Sequence, residues 1–258
     1  MQISSPVAVC AVILATAGAP TALLAEPAAP TSSGTGTILP SLSHPTIGGR
    51  FFGVENANQS WSALLLDTNL VRFELRSGDI YPNPGGFTER TEIYGPYEPT
   101  FSAYIIPGGA SITLTYDFMI ENGPANVAQW MVMGQWHSDY NSSIVQPVHP
   151  PFAISFFNND KMTIQGAWAR TNTTTETDIT LYADPNSIQR GVFHSMKIFT
   201  IFKNDSTGVV QVWRDGVQIV NYNGPIGYGQ GTYWKQGVYR YPTNQTIAVQ
   251  YRNTTMTP

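Results

Sequence analysis

Apolar and polar residues alternate in short runs along most of this chain. "NLVRFELRSGD" sets Val71, Phe73 and Leu75 against Arg72, Glu74 and Arg76, and "ASITLTYDFMI", "MTIQGAWA", "HSMKIFTIF" and "QTIAVQYRN" behave alike. Successive side chains of a strand point to opposite faces, so a period of two predicts β-strands, and helical spacing is hard to find. Gly, Pro, Asn and Asp punctuate the runs, and Arg214-Asp215-Gly216 inside "VWRDGVQI" reads as a tight hairpin turn. About a dozen short strands with regular turn signals predict an all-β antiparallel sandwich, jelly roll or barrel. The glycine cluster "NGPIGYGQG" lacks the strand-to-helix setting of a phosphate loop and reads as an ordinary loop.

The pattern breaks down at the N-terminus. "VAVCAVILATAGA" followed by "PTALLAEPAAP" has the form of a secretory signal over residues 1–25, although no Lys or Arg precedes the apolar run. That run is too short and too rich in small residues to span a bilayer. Residues 26–46, rich in Pro, Ala, Ser, Thr and Gly, are expected to be a flexible linker, and residues 47–258 one domain. The sole cysteine, Cys10, falls in the signal, so the exported chain would have neither a disulfide nor a thiolate site. N-x-S/T sequons at Asn58, Asn141, Asn172, Asn204, Asn244 and Asn253 would matter only in a glycosylating host.

Charge narrows the partners. With 13 Lys+Arg against 17 Asp+Glu and a net charge of −4, the chain lacks the basic groove that nucleic acid or heavily sulfated glycans require. Any anionic ligand must be met by a few local cations.

Face parity finds those cations. In "GQWH", Gln135 and His137 share a side opposite Trp136; in "ERTEIYG", Arg90 and Glu92 share a side opposite Thr91 and Ile93. In "YWKQGVYRYP", Tyr233, Lys235, Gly237 and Tyr239 fall together, opposite Trp234 and Val238. A half-exposed sheet with an ordinary polar outer face would also read this way. Exposed faces, however, carry Thr, Ser, Lys and Glu more often than Gln-x-His or Lys-x-x-x-Tyr, and the combination suggests a ligand-facing sheet. A glycoside hydrolase would need paired carboxylates across a groove. Glu89 and Glu92 point to opposite faces, and Glu176 and Asp178, which share one, sit in a Thr-rich stretch that reads as solvated surface. His149 and His194 read as structural. A non-catalytic carbohydrate-binding module is the other alternative.

"ERTE", "QWH" and "YWKQGVYR", in that order, resemble the signatures of β-jelly-roll polysaccharide lyases. Alginate lyases of this fold carry an Arg-Ser-Glu-type strand, a Gln-x-His strand and a Tyr-x-Lys-x-Gly-x-Tyr strand. The heparin-lyase-I-like group has Gln-Trp-His with the same Lys-x-x-x-Tyr spacing, and overall the chain is most similar to the glucuronan lyases. The resemblance implies a concanavalin-like jelly roll with a concave ligand-binding sheet and cleavage of a uronate polysaccharide by β-elimination. The C5 proton of a uronate is acidic enough to remove only when the neighbouring carboxylate is neutralised by preorganised donors. A base then takes the proton and an acid protonates the leaving oxygen. By motif, Arg90 and Gln135 would hold the carboxylate, with Lys235 beside them. His137 would be the base or help to neutralise the carboxylate. Tyr239 would be the acid, or both acid and base, its ordinary pKa of about 10 lowered by Lys235. Arg72, Glu92, Tyr233 and Arg76 are expected to bind substrate. The resemblance implies no required cofactor and no assigned metal ligands, and it is compatible with a structural calcium. The expected partner is an anionic polysaccharide, with β-1,4-glucuronan first and alginate second, acted on by a secreted monomer.

Overall fold

The computed structural model describes residues 35–82, 86–97, 105–139, 149–157, 159–170 and 176–258. The expected signal over residues 1–25 lies outside them. Among the described residues there are strands and turns but no helix, and none therefore crosses a membrane as a helix.

The strands, in chain order, begin with β1 (Thr37–Ile38), β2 (Thr46–Ile47), β3 (Arg50–Asn56), β4 (Ala63–Asp67) and β5 (Leu70–Leu75). They continue with β6 (Glu89–Tyr97), β7 (Ser111–Ile120), β8 (Met131–Ser138), β9 (Phe152–Phe157), β10 (Lys161–Trp168) and β11 (Thr177–Ala183). The last are β12 (His194–Ile201), β13 (Val209–Arg214), β14 (Val217–Asn223), β15 (Thr232–Arg240) and β16 (Ile247–Thr257). They form two antiparallel sheets, ordered β1-β4-β5-β16-β7-β12-β13-β14 and β11-β10-β9-β8-β15-β6-β3-β2. This is the expected all-β jelly-roll sandwich.

Alternation builds the core. In β7, Ile112, Leu114, Tyr116, Phe118 and Ile120 are all buried, and the residues between them are more exposed. From the facing sheet, Met131, Met133, Trp136, Trp234 and Val238 enter the same cluster. Burying each large side chain contributes about 2 kcal/mol, against the entropy of ordering the chain. The β13–β14 hairpin turns at Asp215 and Gly216, both with positive φ, as the two-residue turn read from the sequence requires.

The N-terminal boundary corrects one expectation. The linker expected over residues 26–46 is not a linker throughout: β1 pairs with β4, β2 pairs with β3, and Leu39 is buried in the core. These edge strands are two residues long, too short for periodicity to reveal.

One contact ties the sheets together behind the site. The Tyr251 hydroxyl of β16 donates to the Met133 carbonyl of β8 and lies 3.2 Å from the Gly237 carbonyl of β15. Burial raises the Tyr251 pKa, so this hydroxyl stays a donor.

Candidate active site

Three adjacent strands, β8, β15 and β6, position the polar row. Across β8 and β15, Tyr233 faces His137, Lys235 faces Gln135 and Tyr239 faces Val132. Across β15 and β6, Tyr239 faces Arg90 and Gly237 faces Glu92. Trp136, Trp234 and Val238 point into the core, so the face assignment made from parity holds.

Gly237 lets β15 lie close against β6, where the pairing is continuous, while the register against β8 shifts between Gln236 and Tyr239. Its φ is +143°, and a Cβ there would come 2.2 Å from the Thr91 carbonyl oxygen of β6. Only glycine allows β15 to pass so close while Lys235 and Tyr239 stay on one face.

Buried charges hold the row. Glu92, with no side-chain exposure, accepts a 2.8 Å hydrogen bond from the Gln135 amide and lies 3.3 Å from both Arg90 and Lys235. Glu55 of β3 accepts from Arg90 at 2.8 Å and from Lys235 at 2.7 Å. Burial opposes ionisation of Glu55, but Lys235 and Arg90 outweigh it and hold its pKa below the usual carboxylate value. Burial likewise works against the Arg90 charge, and Glu92 and Glu55 more than offset it, so the guanidinium pKa is raised. With all four groups ionised this cluster is electrically neutral.

Arg90 has a third contact: its guanidinium carbon lies 4.1 Å from the Tyr239 ring centroid. The cation against Tyr239 is therefore Arg90, whereas Lys235, only 3% exposed, is committed to Glu55 and Glu92. Trp130 packs edge-on against Tyr239 at 4.9 Å.

His137 occupies the other end of the row, its ring 5.2 Å from that of Tyr233. Burial first, then the Lys235 charge, pushes the imidazole down to about 4, against the Ser138 carbonyl and Glu92. His137 is neutral at ordinary pH. Its Nδ1 lies 3.1 Å from the Ser138 carbonyl oxygen, which can only accept, so this contact favours the tautomer with the proton on Nδ1.

The row borders a groove of about 440 Å³ that crosses the strands, lined by Trp130, Val132, Gln135, Ser155, Gln165 and Tyr239 among others. His149 and Asp178 lie at its far side. The His149 Nδ1 is 2.8 Å from Glu176 and 3.1 Å from Asp178, and Tyr228 also donates to Glu176 at 2.9 Å. This is the group among the described residues with His, Asp and Glu atoms close enough to hold a metal.

The sequence-based site is thus brought together in part. His137, Tyr239, Arg90, Gln135, Lys235 and Tyr233 share one face, as expected. Glu92 shares it too, but buried beneath Gln135, Arg90 and Lys235, it holds donors and does not reach a ligand. Arg72 and Arg76 do not belong to the site. They lie at β5, in the opposite sheet, where Arg72 is 1% exposed and pairs with Glu121 and Glu74 at 2.7 Å, and Arg76 pairs with Glu74. Parity separates two faces of a strand but does not say which sheet the strand joins. Glu55, Trp130 and the His149 group were missed. The alternation of Val54 and Glu55 in "FGVEN" places Glu55 on an outer face, but only the pairing of β3 with β6 brings it to Arg90.

The family model for polysaccharide lyases matches residues 58–255, and the chain belongs to that family. Among solved structures it resembles an endo-β-1,4-glucuronan lyase from the fungus Trichoderma reesei, with a TM-score of 0.61 and 11% identity over 86% of this chain and 92% of that one. It also resembles a family 7 alginate lyase, AlgAT5, with a TM-score of 0.55 and 16% identity over 77% and 83% of the two chains. An alginate lyase from Pseudomonas aeruginosa gives 0.51 and 19% over 72% and 82%. At such identities these likenesses show the fold. No curated protein sequence matches the chain.

Proposed function

We propose that this polysaccharide lyase cleaves a polymer carrying one carboxylate per uronate and no sulfate, β-1,4-glucuronan first, by β-elimination in the groove beside Arg90, Gln135 and Tyr239. The observation that carries this reading is the Glu55–Glu92 pair, which holds Arg90, Gln135 and Lys235 on the face that bears Tyr239. The donors are fixed before substrate arrives, which is how a site stabilises charge that develops during reaction. The cluster's neutrality suits one carboxylate and not a run of sulfates. A secreted enzyme acting on an extracellular polymer fits the apolar pattern of residues 1–25.

In this reading Arg90 and Gln135 donate to the uronate carboxylate, so that charge from C5 spreads into it. In a D-glucuronate the C5 hydrogen and the C4 oxygen lie on the same side of the ring, so one group on that side can perform both transfers. Tyr239, beside the Arg90 guanidinium, is the base that takes the C5 proton. The C5–H electrons form the C4=C5 double bond, the C4–O4 bond breaks, and the Tyr239 phenol returns its proton to O4. No metal is assigned a step.

A second reading has one specific observation behind it. The Ser138 contact favours the His137 tautomer with its lone pair on Nε2, and in that tautomer His137 would accept the C5 proton while Tyr239 serves as acid alone. Replacing His137 by Gln separates the two: a retained rate supports Tyr239 as the sole shuttle. The function itself is tested by incubating the protein with polyglucuronate and recording the ultraviolet band of the 4,5-unsaturated uronate. New reducing ends without that band would make it a hydrolase, and binding without either would make it a carbohydrate-binding module.

A further inference from the structure

Next to the groove, and meeting it at Trp130, lies a line of aromatic rings that the elimination chemistry does not use. Trp130 immediately precedes β8, Tyr241 immediately follows β15 and Phe87 lies just before β6, so the three occupy the same end of three neighbouring strands. A backbone hydrogen bond of 3.1 Å from the Tyr241 amide to the Trp130 carbonyl fixes that edge. The rings meet edge to face in sequence: Tyr239–Trp130 at 4.9 Å, Trp130–Tyr241 at 6.4 Å and Tyr241–Phe87 at 6.0 Å. The line therefore starts at the Tyr239 ring and runs from β8 over β15 towards β6, while the groove extends from Tyr239 and Trp130 the other way, over β9 and β10 to β11. Phe87 is 60% exposed and Tyr241 40% exposed, so two large rings present part of their surface to water. Every side chain in this line is uncharged.

We propose that Phe87, Tyr241 and Trp130 form a stacking rim for the polysaccharide chain, holding the C–H faces of sugar rings that flank the linkage under attack. The occupant is a uronate polymer, because the rim is continuous with the groove that Tyr239 and Trp130 line. The proposal rests on the lyase reading above. The division of labour is chemical: Arg90 and Gln135 recognise one carboxylate, and the rim recognises ring surface and hence chain length. The Trp130, Tyr241 and Phe87 rings follow one another at 6.4 and 6.0 Å, so they meet successive positions on an extended chain.

The test is equilibrium binding of polyglucuronate, and separately of polymannuronate, to full-length Tyr239→Phe protein with and without Phe87→Ser and Tyr241→Ala. Both rim residues are exposed, so the melting temperature should hold. Loss of two stacking contacts should weaken binding of the long polymer about tenfold, with little change for the shortest oligosaccharide that binds. Equal affinity of the two proteins, equal loss for short and long chains, or binding of neither polymer overturns the proposal. Wild-type protein that binds polymer through the rim yet releases no unsaturated product would overturn the elimination reading and leave the rim standing.

Discussion

Arg90 and Tyr239 face each other across β6 and β15, the guanidinium carbon 4.1 Å from the ring centroid. Phenylalanine at 239 keeps the ring that Arg90 and Trp130 pack against and removes only the hydroxyl. Tyr239→Phe should retain the wild-type melting temperature and lose most turnover, read by ultraviolet absorbance. Near-wild-type turnover would remove Tyr239 from proton transfer.

Glu55 is shared by Arg90 and Lys235. Glu55→Gln keeps the shape and loses the charge, so hydrogen bonds to two cations weaken together. We expect about 2 kcal/mol of lost stability. Displaced donors should also lower kcat/KM by about ten- to a hundredfold, as Arg90→Ala should directly. Loss of stability with unchanged kcat/KM would show that the cluster serves only the fold.

The pH dependence of His137 has a definite sign. Its folded-state value, about 4, lies below the ordinary 6.5, so the unfolded chain binds the proton more readily between those values. The stability this residue contributes is fully present above pH 6.5 and is lost as pH falls towards 4. Melting curves of wild type and His137→Gln should diverge across that window, with wild type losing more on acidification. Parallel curves would mean that the imidazole titrates normally.

Arg72 gives a contrasting expectation. Buried against Glu121 and Glu74 in the opposite sheet, it should matter for folding and not for substrate. Arg72→Met strands two carboxylates and should cost about 3–5 kcal/mol, with KM unchanged in the fraction that folds. A raised KM with normal stability would return Arg72 to substrate binding.

What was legible in the sequence follows from the range of each signal. Period-two alternation is local, so it placed Gln135 and His137 opposite Trp136, and Lys235 and Tyr239 opposite Trp234, and it gave the sandwich its strands. Pairing between strands is not local. Glu55 and Glu92 are linked through Arg90 and Lys235 only once β3 lies beside β6 and β6 beside β15. Arg72 shows the converse failure, because its strand has the same polar-apolar rhythm and joins the other sheet. His149 reads as a loop histidine in "PVHPP", and only the fold brings Glu176 and Asp178 to it.

Elimination of a uronate polymer is read by absorbance at the unsaturated-uronate band across glucuronan, alginate, hyaluronan and heparin. The expected result is a rising band with glucuronan first, alginate next and heparin not at all, abolished by Tyr239→Phe. No band with any polymer, or a band with heparin alone, would contradict it.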